Sequence, residues 1–164
     1  TEKVTESFAT LNGHVKDTTL LQWHPTASNV LASAGRDQCV KIWDVENCTD
    51  VLTIADPIPS LVSDVRWSYK GDLLGVACKD KHVRIFDPRS SCDAAVAEVV
   101  AHEGAKVVNL CFLGRREQLL TAGFTRSSRR ELKVWDPRKM DTPLHSHDLD
   151  QSAGVLMPFW DDDT

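Results

Sequence analysis

Apolar and polar residues alternate along most of this chain in short runs, and one such run recurs three times. Leu21 and Trp23, Val65 and Trp67, and Leu110 and Phe112 each set two apolar side chains two residues apart. That is the period of a strand with one buried face. A second strand follows in each copy, at 29–34, 72–78 and 118–122, and a third at 39–43, 82–86 and 131–135. Weaker fourth strands read at 51–54, 95–100 and 144–149. Turn chemistry separates them at His24-Pro25, Gly35-Arg36-Asp37 and Lys70-Gly71-Asp72. No helical period is sustained, so the pattern predicts an all-β chain.

The spacing of the copies says more than any single strand. Trp23 to Trp67 is 44 residues, and Trp67 to Phe112 is 45. Trp43 to Phe86 is 43, and Phe86 to Trp135 is 49. Third strands that end Trp43-Asp44, Phe86-Asp87 and Trp135-Asp136, at a period of about 40–45 residues, mark WD40 propeller blades. The expected blades are 14–54, 61–100 and 105–149. Residues 6–11 read as the outer strand of a preceding blade, and 153–160 as the inner strand of a following one. Propellers typically close with about 4–8 blades, so 164 residues predict a partial WD40 β-propeller, and Thr1-Glu2-Lys3 reads as a cut inside a domain. Each blade buries its faces only against its neighbours. The isolated chain is therefore expected to self-associate.

Composition narrows the function. The formal net charge of −5 argues against a general nucleic-acid binder. Five cysteines (Cys39, Cys48, Cys78, Cys92 and Cys111), with no C-x-x-C pair, fit scattered thiols in a cytoplasmic protein better than disulfides or a zinc site. No apolar run reaches the roughly 18 residues of a membrane span. Phosphate-binding glycine motifs and a nucleophile elbow are both absent, so no enzyme activity, cofactor, metal or small-molecule substrate is expected.

His14, Ser33, Asp37 and Trp43 fall where WD40 blades resemble one another in a buried hydrogen-bond relay, and their donors and acceptors complement each other. The second copy lacks Gly-His and has Phe86 for Trp. The third keeps His102, Thr121 and Trp135 but has no turn Asp, because 124–130 is lengthened. A complete relay is therefore expected in the first blade alone. His145, His147 and Asp148 alternate on one strand, without further ligands at metal spacing.

Charge is uneven. Residues 115–138 hold seven Lys or Arg against three acids, whereas 141–164 hold six Asp and no Lys or Arg. The lengthened turn offers Arg126, Arg129 and Arg130 as candidates for an acidic partner surface. Two Asp-Pro-Arg turns offer Arg89 and Arg138, and Trp-Asp-x-Arg resembles the docking box of WD40 receptors for cullin-type ubiquitin ligases.

The stretch from Ala77 to Arg89 resembles a blade of the coronins. So do Ala101-His-Glu-Gly104, the Thr121–Arg126 turn leading into Glu131-Leu-Lys-Val-Trp-Asp136, and 149–159. The Cys78-Lys-Asp-Lys81 segment leans toward the tandem-propeller coronins; the closing Trp160-Asp-Asp-Asp-Thr164 departs from the family pattern. The resemblance implies a middle portion of a seven-bladed ring and a cytoplasmic, cytoskeleton-associated scaffold. Its partners are actin filaments or actin regulators, reached through the whole protein. For the tandem branch it also implies Golgi traffic and ubiquitin-ligase work. The family's usual actin contact lies in an earlier blade, and no residue here matches it.

Overall fold

A computed structural model describes residues 7–90 and 92–161. Among these residues, twelve strands form three four-stranded antiparallel sheets. The first holds β1 (Thr18–Trp23), β2 (Val30–Gly35), β3 (Val40–Asp44) and β4 (Thr49–Ile54). The second holds β5 (Val62–Trp67), β6 (Leu74–Cys78), β7 (His82–Phe86) and β8 (Ala97–Val100). The third holds β9 (Asn109–Phe112), β10 (Leu119–Phe124), β11 (Arg130–Trp135) and β12 (His145–Asp148). Each sheet is a simple meander, a blade with its first strand on the inside and its last outside.

Register makes the three blades comparable residue by residue. Trp23 faces Leu31, Trp67 faces Leu74 and Phe112 faces Leu119. One residue on, Ala32 pairs with Ile42, Gly75 with Ile85 and Leu120 with Val134. These pairs lie on the side of each blade that meets the next. The core is accordingly a pair of seams. Ala32, Ala34, Val40 and Ile42 of the first blade pack with Val65, Trp67, Leu74 and Phe86 of the second. Ala77, Val83 and Ile85 of the second pack with Leu110, Phe112, Leu119 and Trp135 of the third. Phe112 approaches so closely that a methyl group on Gly75 would lie 3.3 Å from its ring. Full burial of one such side chain contributes about 1.5–3 kcal/mol.

Polar groups pin the same seams. The Trp67 indole N–H donates to the Gln22 carbonyl at 3.3 Å, and the Ser63 hydroxyl donates to the Val108 carbonyl at 3.2 Å. Asp64, buried in β5, accepts the Leu110 N–H at 2.9 Å.

Among the described residues, neither 7–11 nor 153–160 forms a strand, contrary to the expectation for both flanks; Glu6 lies outside the described residues. Neither segment has a companion strand on which to form a ladder, and an unpaired extended segment gains nothing from strand geometry. The later flank still runs beside β9. Lys106 donates to the Ala153 carbonyl and Asn109 to the Leu156 carbonyl, both at 2.6 Å and both 47 residues apart. That offset continues the 45 and 46 that separate inner-strand partners in the two seams.

Candidate functional site

In the first blade the four predicted relay residues meet. His14, on the loop ahead of β1, sets Nδ1 at 3.0 Å from both Asp37 carboxylate oxygens and Nε2 at 2.7 Å from Ser33 Oγ. The Trp43 indole donates to the same Ser33 oxygen at 2.8 Å. One assignment satisfies every group: Trp43 N–H to Ser33, Ser33 O–H to His14 Nε2, and His14 Nδ1–H to Asp37. Burial pushes the Asp37 carboxyl up, but the Val15 N–H, the Cys39 thiol and His14 outweigh it and hold it at about 2.

The connectivity is that of a hydrolytic triad, yet the setting is not. Ser33 is 3% exposed, and its oxygen already accepts the indole N–H. A nucleophile needs a free lone pair and a path for substrate. Cys39 joins His14 and Asp37 within 4.8 Å, a grouping with metal-ligand chemistry. Burial foremost, then Asp37, pushes its thiol up to about 11, so it stands as a thiol, and both His14 nitrogens are committed to protein partners. His145, His147 and Asp148, the other set considered from the sequence, are exposed along β12.

The third blade corrects the expectation of a single relay. His102 Nε2 lies 2.8 Å from Thr121 Oγ1, Trp135 donates to that oxygen at 2.9 Å, and His102 Nδ1 lies 2.8 Å from Glu131 Oε2. Glu131 sits four residues before Trp135, the position Cys39 holds relative to Trp43. The acid has moved from the turn onto the strand, and the longer side chain covers the difference. Burial holds His102 below its ordinary range despite Glu131 beside it. Burial raises the Glu131 carboxyl, but His102 and Lys133 outweigh it and the net shift is downward. The pair is therefore a neutral imidazole donating to a carboxylate.

Both relays rest on a glycine. A methyl group on Gly35 would lie 2.7 Å from the His14 ring, and one on Gly123 would lie 2.4 Å from the His102 ring. The second blade has Cys78 at this place and no histidine ahead of its first strand. There Asp80, aligned with Asp37, is bound instead by Arg84 Nη2 at 2.8 Å, and the same nitrogen reaches Glu98 at 2.8 Å. Arg84 matches Lys41 and Lys133 in the flanking blades, where Lys41 donates to Asp50 at 2.6 Å and Lys133 lies 3.2 Å from Glu131.

The five candidate arginines do not form one surface. Arg126, Arg129 and Arg130 stand at the β10–β11 turn, while Arg89 and Arg138 follow β7 and β11 at the opposite ends of their blades. Arg130 is bound by Asp150 through Nε at 2.6 Å and through Nη2, which ties the turn to the segment after β12. Arg89 is held by both oxygens of Asp87 at 2.9 Å, and Arg138 lies 3.5 Å from Asp72. Arg126 has a partner at 3.8 Å, Glu103, and Arg129 has one at 3.9 Å, Asp148. The Arg126 side chain is 89% exposed. The turn below them is ordered: Thr125 N donates to the Arg129 carbonyl, and Arg129 N donates to Thr125 Oγ1.

The profile of the family described as "WD domain, G-beta repeat" matches residues 5–44 and 50–87. Human Coronin-2A is 37% identical over the whole chain, which spans 31% of that protein. Coronin-7 of Rattus norvegicus is 42% identical over 88% of the chain, 15% of its own length. The WD40 domain of Toxoplasma gondii coronin superposes with a TM-score of 0.82 at 33% identity, covering 90% of this chain and 38% of that one. The chain thus spans about a third or less of the relatives it matches.

Proposed function

The chain belongs to the WD40-repeat proteins of the coronin family, and from that premise we propose that it is part of a non-catalytic interaction scaffold for actin filaments or their regulators. One observation carries the reading. The relay groups of the first and third blades are committed to one another, whereas Arg126 and Arg129 reach the surface on an ordered turn. Exposed cations of this kind speed association with an acidic surface more than they tighten it, and salt screens them. Contact with the cytoskeleton places the protein in the cytoplasm; no helix among the described residues is long and apolar enough to cross a membrane. The ubiquitin-ligase adaptor, which would use Arg89 or Arg138, is not favoured: Arg89 is already bound by Asp87, and Arg138 lies between Asp72 and Glu117 at 3.5 and 3.8 Å.

Co-sedimentation of the full-length protein with actin filaments across a salt series tests the proposal. Arg126→Glu with Arg129→Glu should weaken pelleting most at low salt. Pelleting that matches the unsubstituted protein at every salt concentration would overturn the assignment of these two residues. No pelleting by the unsubstituted protein would overturn the scaffold reading itself.

A further inference from the structure

The β6–β7 turn of the second blade and the loop ahead of β9 in the third enclose a cavity of about 380 Å³. Three lysines line it: Lys79 and Lys81 from the turn, and Lys106 from the loop. Cys78, Val107 and Val155 supply apolar wall, the last from the segment after β12. Among the described residues no carboxylate lines this cavity. Asp80, next to Lys79, is bound by Arg84 instead, and the Glu103 carboxylate lies 3.8 Å from Arg126.

Two of the three ammonium groups are placed by neutral partners. Lys81 Nζ donates to the Glu103 carbonyl at 2.8 Å. Lys106 Nζ donates to the Ala153 carbonyl at 2.6 Å and stands 4.4 Å from the centre of the Phe124 ring. An ammonium group has three donors, so both keep N–H groups beyond these bonds. Lys41, Lys70 and Lys133, by contrast, each meet a carboxylate. The seam between the first and second blades shows that the fold does not ask for these lysines. Arg36, Gln38 and Leu61 stand there in the places of Lys79, Lys81 and Lys106. Gln38 and Lys81 share even the left-handed backbone conformation, at φ of 62° and 72°. The second seam thus gathers three cations where the first has one.

We propose that this cavity binds a phosphorylated tyrosine side chain of a partner protein. A phosphate monoester carries a charge of about −1.5 to −2 at neutral pH and three strong acceptor oxygens. It answers three lysines around one cavity better than a single carboxylate does, and lysine serves phosphate as a point charge. The walls select the body that carries the phosphate. A phenyl ring covers Val107 and Val155, whereas the single methylene of phosphoserine leaves them bare. An inositol phosphate would press hydroxyl groups against them without partners, which costs free energy. The volume falls at the lower end of the range of about 300–1,000 Å³ for small-molecule pockets, room for one side chain of this size. The inference is independent of the actin reading, since it uses other residues and its test contains no filament.

Isothermal titration calorimetry of the full-length protein at low salt tests it, with a capped peptide carrying one phosphotyrosine between alanines. This peptide should bind and its unphosphorylated form should not. The phosphoserine analogue and inositol trisphosphate should each bind about tenfold more weakly or worse. Lys79 is exposed, so Lys79→Ala should leave the fold intact. It should weaken the phosphotyrosine peptide about tenfold, the loss of one hydrogen bond to a charged group. Lys79→Arg should retain binding, and Arg36→Ala, the same position in the first blade, should leave it unchanged. Val155→Ser should weaken the peptide but not inorganic phosphate.

Absence of binding by the phosphotyrosine peptide would overturn the proposal. So would unchanged affinity in Lys79→Ala, or an equal loss in Arg36→Ala, either of which would place the phosphate elsewhere. Phosphoserine peptide or inositol trisphosphate binding as tightly would overturn the choice of tyrosine, and so would indifference to Val155→Ser.

Discussion

Glu131 Oε2 lies 2.8 Å from His102 Nδ1, and this contact replaces one that the sequence places in a turn. Its partner histidine is 1% exposed and kept neutral by burial, so the carboxylate is the charged member. Glu131→Gln removes that charge and leaves Lys133, 3.2 Å away, without its closest acid. The expected loss is about 1.5–3 kcal/mol, the range for a hydrogen bond to a charged group, read from the urea midpoint at neutral pH. A change below about 0.5 kcal/mol would mean that the relay contributes nothing to the fold.

How this relay escaped the sequence is instructive. The 44-residue period and the apolar pairs fixed by it give every blade strand to within two or three residues, since alternation and turn residues are local signals. The first relay was legible because His14, Ser33, Asp37 and Trp43 keep conventional positions. Glu131 counts in the sequence only as one of three acids in a basic stretch, because side-chain reach is not written in spacing. The signal that could have found it is Ala122-Gly123, which repeats Ala34-Gly35 and marks where a histidine ring needs space; the second blade, with Ala77-Cys78, has no histidine ahead of its first strand. Arg130 was likewise grouped with its neighbours in sequence. Its bond to Asp150 depends on where the chain returns after β12.

Gly123→Ala tests that spatial argument directly. The added methyl group would fall 2.4 Å from the His102 ring, closer than van der Waals contact permits. Overpacking of this kind costs about 1–3 kcal/mol. Thermal melting should register it, while Gly154→Ala, with 3.9 Å of room to Ser152, should leave the midpoint unchanged.

Acid should act on the two relays in sequence. The folded His102 pKa is lowered, so the unfolded chain binds the extra proton first; stability is full above about pH 6.5 and falls as pH drops toward the folded value. The folded Asp37 pKa is about 2 against an ordinary 3.8, so its contribution is present above about pH 4 and is lost as pH falls through 2. That contribution is roughly 2 kcal/mol. Urea midpoints measured from pH 7 to pH 2 should show both declines, and Asp37→Asn should reduce the lower one, to which Asp80 and other carboxylates also contribute, while leaving the upper one unchanged. A single decline in the unsubstituted chain would contradict the assignment.

Trp23 and Trp67 are the same residue at the same blade position, one exposed and the other sealed in a seam. Trp67 packs with the Ala32, Val40 and Ile42 side of the first blade, meets the His24 ring at a 57° tilt with centroids 4.6 Å apart, and donates to the Gln22 carbonyl. Trp67→Ala removes all three contacts and leaves a cavity, at a cost of about 3–5 kcal/mol. Trp23→Ala removes little that is buried within one chain. Its unfolding midpoint should shift by less than about 0.5 kcal/mol, as for a surface substitution. Equal losses from the two substitutions would show that Trp23 is as buried as Trp67, and would contradict the difference in their surroundings.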